Sequence, residues 1–150
     1  MAFDDVLASR FERANLLYLE LLDGLSPEQL GSRLPGLPSS TIAGQLWCVL
    51  GARESYPRAA RAGSWQGFGG PLEEWEMTDA PTVRAAFEQT AADVAAWLGE
   101  LRSDDDLRFA LALLEHETQH HGQLIRYLYG LGIPRPESWQ RQYALDHDDA

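Results

Sequence analysis

The sequence predicts an all-α fold, a four-helix bundle with one long crossover between its second and third helices. Four stretches place apolar residues three and four positions apart, and none alternates as a strand does. One connection, near the middle of the chain, is much longer than an ordinary helix–helix loop. The chain has 150 residues, 45% hydrophobic and 23% charged, a balance that fits one domain over residues 1–150 with a continuous core.

Phe3, Val6, Leu7, Phe11, Ala14, Leu17, Tyr18 and Leu21 form the first stripe, predicting a helix from about Ala2 to Asp23. Gly24 ends it, Ser26-Pro27-Glu28 starts one short turn, and residues 31–38 read as loop, broken by Pro35, Gly36 and Pro38. Ser40 or Thr41 caps a second helix that runs to about Ala62, with Pro57 expected to kink it or end its regular part. The Gly- and Trp-rich segment from Gly63 to Met77 is the long crossover. Thr78 or Asp79, with Pro81 behind, starts a third helix striped by Val83, Phe87, Thr90, Val94, Trp97 and Leu101. Ser103 followed by three aspartates opens the fourth, since acidic groups in a first turn favour the helix dipole. Gly132 and Pro134 stop it after about Leu131, and Trp139 and Tyr143 of the tail are expected to fold back on the helices.

The formal net charge is −11 and every basic residue is arginine. A binder of phosphate backbones needs a basic face, so nucleic acid is not an expected partner. The single cysteine, Cys48, rules out an intramolecular disulfide. The acidic Met1-Ala2-Phe3-Asp4-Asp5 lacks the basic-then-apolar order of a signal peptide, and no apolar run nears the roughly 20 residues of a membrane span. A cytoplasmic protein without membrane contact is the expectation.

Three of the four histidines fall in His116-Glu117-Thr118-Gln119-His120-His121-Gly122-Gln123-Leu124. On a helix His116 and His120 project from the same side one turn apart, a geometry that grips one metal ion. They lie at one margin of an apolar arc made by Phe109, Leu113, Leu124, Tyr127, Leu128 and Leu131, while Glu117 lies nearer its middle. His121 diverges from both and is expected at the surface or an interface. His147, within the acidic tail, is set aside. Cys48 is the natural third ligand. It shares its side of the second helix with Gly44, Gly51, Ala52 and Ser55, small residues that admit another helix or leave a cavity.

The string His116-Glu117-x-x-His120 is also a zinc-peptidase signature, with Glu117 as general base. The context opposes it. Gln123 and Arg126 stand where the extended motif needs glycine and a third histidine, no strand offers an edge to a peptide, and Glu117 points about 100° from His116.

His116-x-x-x-His120-x-Gly122-Gln123-Leu124, followed by Leu128, Gly132 and Pro134, resembles the last-helix signature of the DinB/YfiT-like family. The segment Thr41-Ile42-Ala43-Gly44-Gln45-Leu46-Trp47-Cys48 resembles that family's second-helix segment, which normally ends in histidine, and Pro136-Glu137-Ser138-Trp139 is similar to its tail. The resemblance implies a four-helix bundle, often a homodimer, with one divalent metal held by a second-helix histidine and the paired last-helix histidines. Here the second-helix position is Cys48. Either the site survives as Cys48, His116 and His120, or the substitution marks its loss. Thiolate favours zinc over harder ions, with nickel, manganese and iron as alternatives.

The resemblance further implies a metal-dependent enzyme that transfers a low-molecular-weight thiol, such as bacillithiol or mycothiol, to a small electrophilic substrate. Two other readings stand beside it. One is a non-catalytic, stress-associated metal-binding or structural dimer. The other is a metal-dependent hydrolase with Glu117 or Gln123 beside the metal.

Overall fold

In the computed structural model, which describes residues 3–147, the chain folds into helices joined by loops, and no strand occurs among the described residues. Four long helices carry the core: α1 (Phe3–Asp23), α3 (Ile42–Ala62), α4 (Ala80–Leu98) and α5 (Asp104–Gly130). Two short ones, α2 (Pro27–Leu30) and α6 (Glu137–Tyr143), and a 3-10 turn at Glu74–Glu76 complete the order. The expected start at Ala2 lies outside the described residues.

The boundaries follow from local chemistry. Thr41, Asp79 and Ser103 cap α3, α4 and α5, each side chain accepting the backbone N–H three residues on. Ser103 and Asp106 close a reciprocal capping box that fixes where α5 begins. At the other end of α3, Gly63 takes a left-handed conformation (φ 73°) that a side chain would strain. Pro57 does not end α3, which continues for five more residues. The third helix stops at Leu98 rather than Leu101 because Gly99 N–H turns back onto the Ala96 carbonyl. The tail packs inward as expected, but as a helix: Trp139 of α6 is fully buried and donates its indole N–H to the Leu17 carbonyl at 2.8 Å.

Helix α1 packs on α4 and α5, and α3 packs on α5 and α4. Their buried apolar residues form two separate clusters. The larger holds Tyr18, Leu21, Leu46, Leu50, Phe87, Leu124 and Trp139; the smaller holds Leu7, Phe11, Ala52, Val94, Trp97 and Leu113. Between them lies a polar layer to which each long helix contributes. Arg53 donates from Nε and Nη2 to the two Glu117 carboxylate oxygens at 2.6 and 3.1 Å. Its Nη1 donates to Asn15 Oδ1 (2.9 Å), Thr90 Oγ1 (3.1 Å) and the Phe87 carbonyl (3.1 Å). The Tyr18 hydroxyl donates to the Glu117 backbone carbonyl at 2.6 Å. Arg53 and Glu117 are 4% and 1% exposed, so this is a desolvated, two-pronged ion pair with its remaining valences met.

His121 corrects the sequence-based expectation. Its side chain does diverge from His116 and His120, but it is fully buried rather than at the surface. Helix α6 folds back over that side of α5: Tyr143 Oη lies 2.6 Å from His121 Nδ1, and the ring sits among Tyr18 and Trp139. A helical wheel carries no information on what a distant segment covers.

Two outcomes are expected. Removing one partner of the buried pair strands a charge, so Glu117→Leu and Arg53→Met are each expected to destabilise the fold by about 3–5 kcal/mol. The double variant is expected to recover much of that loss in urea melts, and additive losses would contradict the pairing. The second outcome concerns His121, whose pKa burial lowers to about 3. Unfolded histidine titrates near 6.5, so the unfolded chain takes up a proton that the folded chain refuses. The stabilisation from this group is complete above about pH 6.5 and is lost as the pH falls from there toward about 3. His121→Phe is expected to reduce the slope of stability against pH by up to about 1.4 kcal/mol per unit in that window. An unchanged slope in parallel melts would refute it.

Candidate metal centre

Capping at Thr41 places Cys48 two turns into α3, and the ion pair to Arg53 sets the rotation of α5. With Glu117 turned inward to Arg53, its neighbour His116 and then His120 face the Cys48 side of α3. The donor atoms of Cys48, His116 and His120 all lie within 4.8 Å of one another. His116 Nε2 is 3.7 Å from Cys48 Sγ and 3.2 Å from His120 Nε2. Tetrahedral zinc with Zn–N of ~2.0–2.1 Å and Zn–S of ~2.3 Å has ligand separations of ~3.3 Å for N···N and ~3.6 Å for N···S. The two edges at His116 fit that figure, and the third, from Cys48 to His120, lies within 4.8 Å.

Behind the ligands, Gln45 Oε1 lies 2.5 Å from His120 Nδ1. An amide oxygen only accepts, so Nδ1 carries the proton and the Nε2 lone pair points at the other two donors. Burial lowers the His116 pKa, and burial aided by the neighbouring His116 lowers that of His120 to about 4. Both rings are therefore neutral near pH 7, the form that binds metal. Burial raises the Cys48 thiol pKa, so a metal must displace its proton. His116 Nδ1 is buried without a hydrogen-bond partner among the described residues.

Cys48 and His116 are half-buried, which leaves one side of the group open. Of the small residues beside Cys48, Gly51 and Ser55 admit the long connection between α3 and α4 rather than a helix or a cavity, while Gly44 meets Ser40 and Ala52 packs into the core. Phe68 lies over Gly51 so closely that a side chain there would collide with its ring, and Gly70 meets the Gly51 backbone. Ser55 Oγ donates to the Gly69 carbonyl and accepts from Gly69 N–H, both at 3.1 Å, and Trp47 Nε1 donates to the Leu72 carbonyl. The docked connection sets an aromatic surround beside Cys48 and His116. Trp65 packs edge-on to Tyr56 at 6.0 Å, and the Tyr56 ring lies 5.9 Å from that of His116.

Neither residue expected to support the ligands from behind does so by a hydrogen bond. The Glu117 carboxylate is committed to Arg53, which also removes it as a peptidase base. Gln123 is half-buried and hydrogen-bonds to nothing among the described residues. The supporting residue is Gln45, three positions before Cys48 on the same face of α3, a spacing that was available as a signal. His147 is exposed.

No protein-family model matches this chain, and no curated protein matches it. The chemistry of the site rests on its geometry.

Elemental analysis of purified protein after loading is expected to find close to one zinc per chain, and little in Cys48→Ala or His116→Ala. Gln45→Ala is expected to keep the site but weaken it about 10- to 100-fold in competition with a chelator. Full occupancy in Cys48→Ala would remove that residue from the ligand set.

Proposed function

We propose that this protein is a DinB-like four-helix bundle that binds one divalent metal, zinc by preference, and uses it in transferring a low-molecular-weight thiol to a small electrophile. The observation that supports this most directly is the convergence of Cys48 Sγ, His116 Nε2 and His120 Nε2 within 4.8 Å of one another, with Cys48 and His116 only half-buried. Three protein ligands and an open position are the pattern of catalytic rather than structural zinc. A bound divalent cation would keep a thiol co-substrate deprotonated near neutral pH.

Cys48, His116 and His120 hold the metal, and Gln45 fixes the tautomer of His120. Tyr56 and Trp65 border the site with apolar surface, which excludes water from one side of a bound co-substrate. Glu117 takes no proton in this scheme, because Arg53 occupies both of its oxygens. That commitment favours thiol transfer over hydrolysis, which needs a base for water. The family reading also carries a homodimer in the cytoplasm. No helix among the described residues is long and apolar enough to cross a membrane.

Incubation of the zinc-loaded protein with bacillithiol or mycothiol and a model electrophile such as monobromobimane is the direct test. Conjugation is expected to be faster than in the metal-stripped protein and to fall to background in His116→Ala. Stoichiometric metal with no acceleration would leave the non-catalytic metal-binding reading in its place.

A further inference from the structure

A cleft of about 310 Å³ opens between α1 and α4, away from the metal ligands. Phe11, Val94 and Leu98 form its apolar wall, and Ala8, Ala91 and Ala95 keep it from filling. For scale, an engineered cavity of ~150 Å³ holds benzene. The floor is polar and comes from the buried layer. Asn15 is 9% exposed, and its Oδ1 accepts from Arg53. That bond fixes the amide's orientation, and its Nδ2 donates to no group among the described residues. Arg53 also reaches the cleft, with its charge already balanced by Glu117. Glu12 is exposed and stands at the rim.

We infer that this cleft is a second binding site, for an uncharged, mostly apolar small molecule of about ten to fourteen heavy atoms that carries one carbonyl or similar acceptor. Its apolar body lies against Phe11, Val94 and Leu98, and its oxygen accepts from Asn15 Nδ2. The Asn15 Nδ2 donor has no protein partner among the described residues and stays accessible at the floor of the cleft, so a ligand's acceptor can take the place of water there. The charge pattern excludes anions: the floor is neutral overall, the rim is acidic, and the chain carries −11. The inference is independent of the metal and of thiol chemistry.

The test uses the full chain and three probes of similar size: 4-phenyl-2-butanone, butylbenzene, which has no acceptor, and 4-phenylbutyrate, which is an anion. Amide chemical shifts are followed on titration. The ketone is expected to saturate with shifts at Ala8, Asn15, Ala91 and Ala95, binding several-fold more tightly than butylbenzene and more tightly still than the anion. Asn15→Leu is expected to abolish the advantage of ketone over hydrocarbon, a loss of roughly five- to tenfold. Because that change also touches Arg53, a second variant guards the result. Ala95→Phe fills the cleft from its exposed wall and is expected to remove binding of all three probes with thermal stability unchanged. Absence of saturable shifts, ketone binding that survives Ala95→Phe, or anion binding as tight as ketone binding would overturn the proposal. So would concentration-dependent shifts at these alanines without any probe, which would assign the cleft to a second copy of the chain.

Discussion

The bidentate pair between Arg53 and Glu117 is the constraint on which the rest of this structure depends. A cation at the meeting point of four helices must be matched by one carboxylate and by every neutral acceptor around it, or the fold bears a desolvated charge. Asn15, Thr90 and the Phe87 carbonyl complete that match, so the four long helices are held in one mutual register. Apolar packing alone would tolerate sliding between the two hydrophobic clusters. A polar layer between them does not, because each displaced acceptor leaves a donor unmet.

The same layer links core to site. Arg53 follows Cys48 by five residues on α3, and Glu117 lies between His116 and His120 on α5. Fixing Arg53 against Glu117 therefore fixes the faces that Cys48, His116 and His120 present to each other. The crossover supports the arrangement from outside, since Gly51 lets Phe68 and Gly70 lie directly on α3 beside Cys48.

Much of this was legible in the sequence, for reasons that differ by residue. The long helices were readable because their stripes and caps are local: Thr41, Asp79 and Ser103 announce starts whatever surrounds them. His116 and His120 were readable because a spacing of four is a local property of a helix. Cys48 was readable as a third donor because it is the single cysteine, but its distances to the histidines came only with the fold. Gln45 and Arg53 were passed over because a polar residue in an amphipathic run reads as solvent-facing until its partner is known, and their partners lie 75 and 64 residues away. The tail's inward packing was anticipated from Trp139 and Tyr143, whereas its helical form and its cover over His121 depend on where the chain returns in space.

Consecutive histidines on α5 give that return a particular meaning. His120 and His121 are chemically identical and adjacent, yet one joins the cluster of Cys48 and His116 and the other meets a tyrosine in the core. Turning the helix by the angle of a single residue would bring His121 to the direction His120 now takes and carry His120 away from it, and nothing in the imidazoles themselves opposes the change. The chain thus encodes which histidine joins Cys48 and His116 as the rotational phase of one helix, read against an arginine on its neighbour.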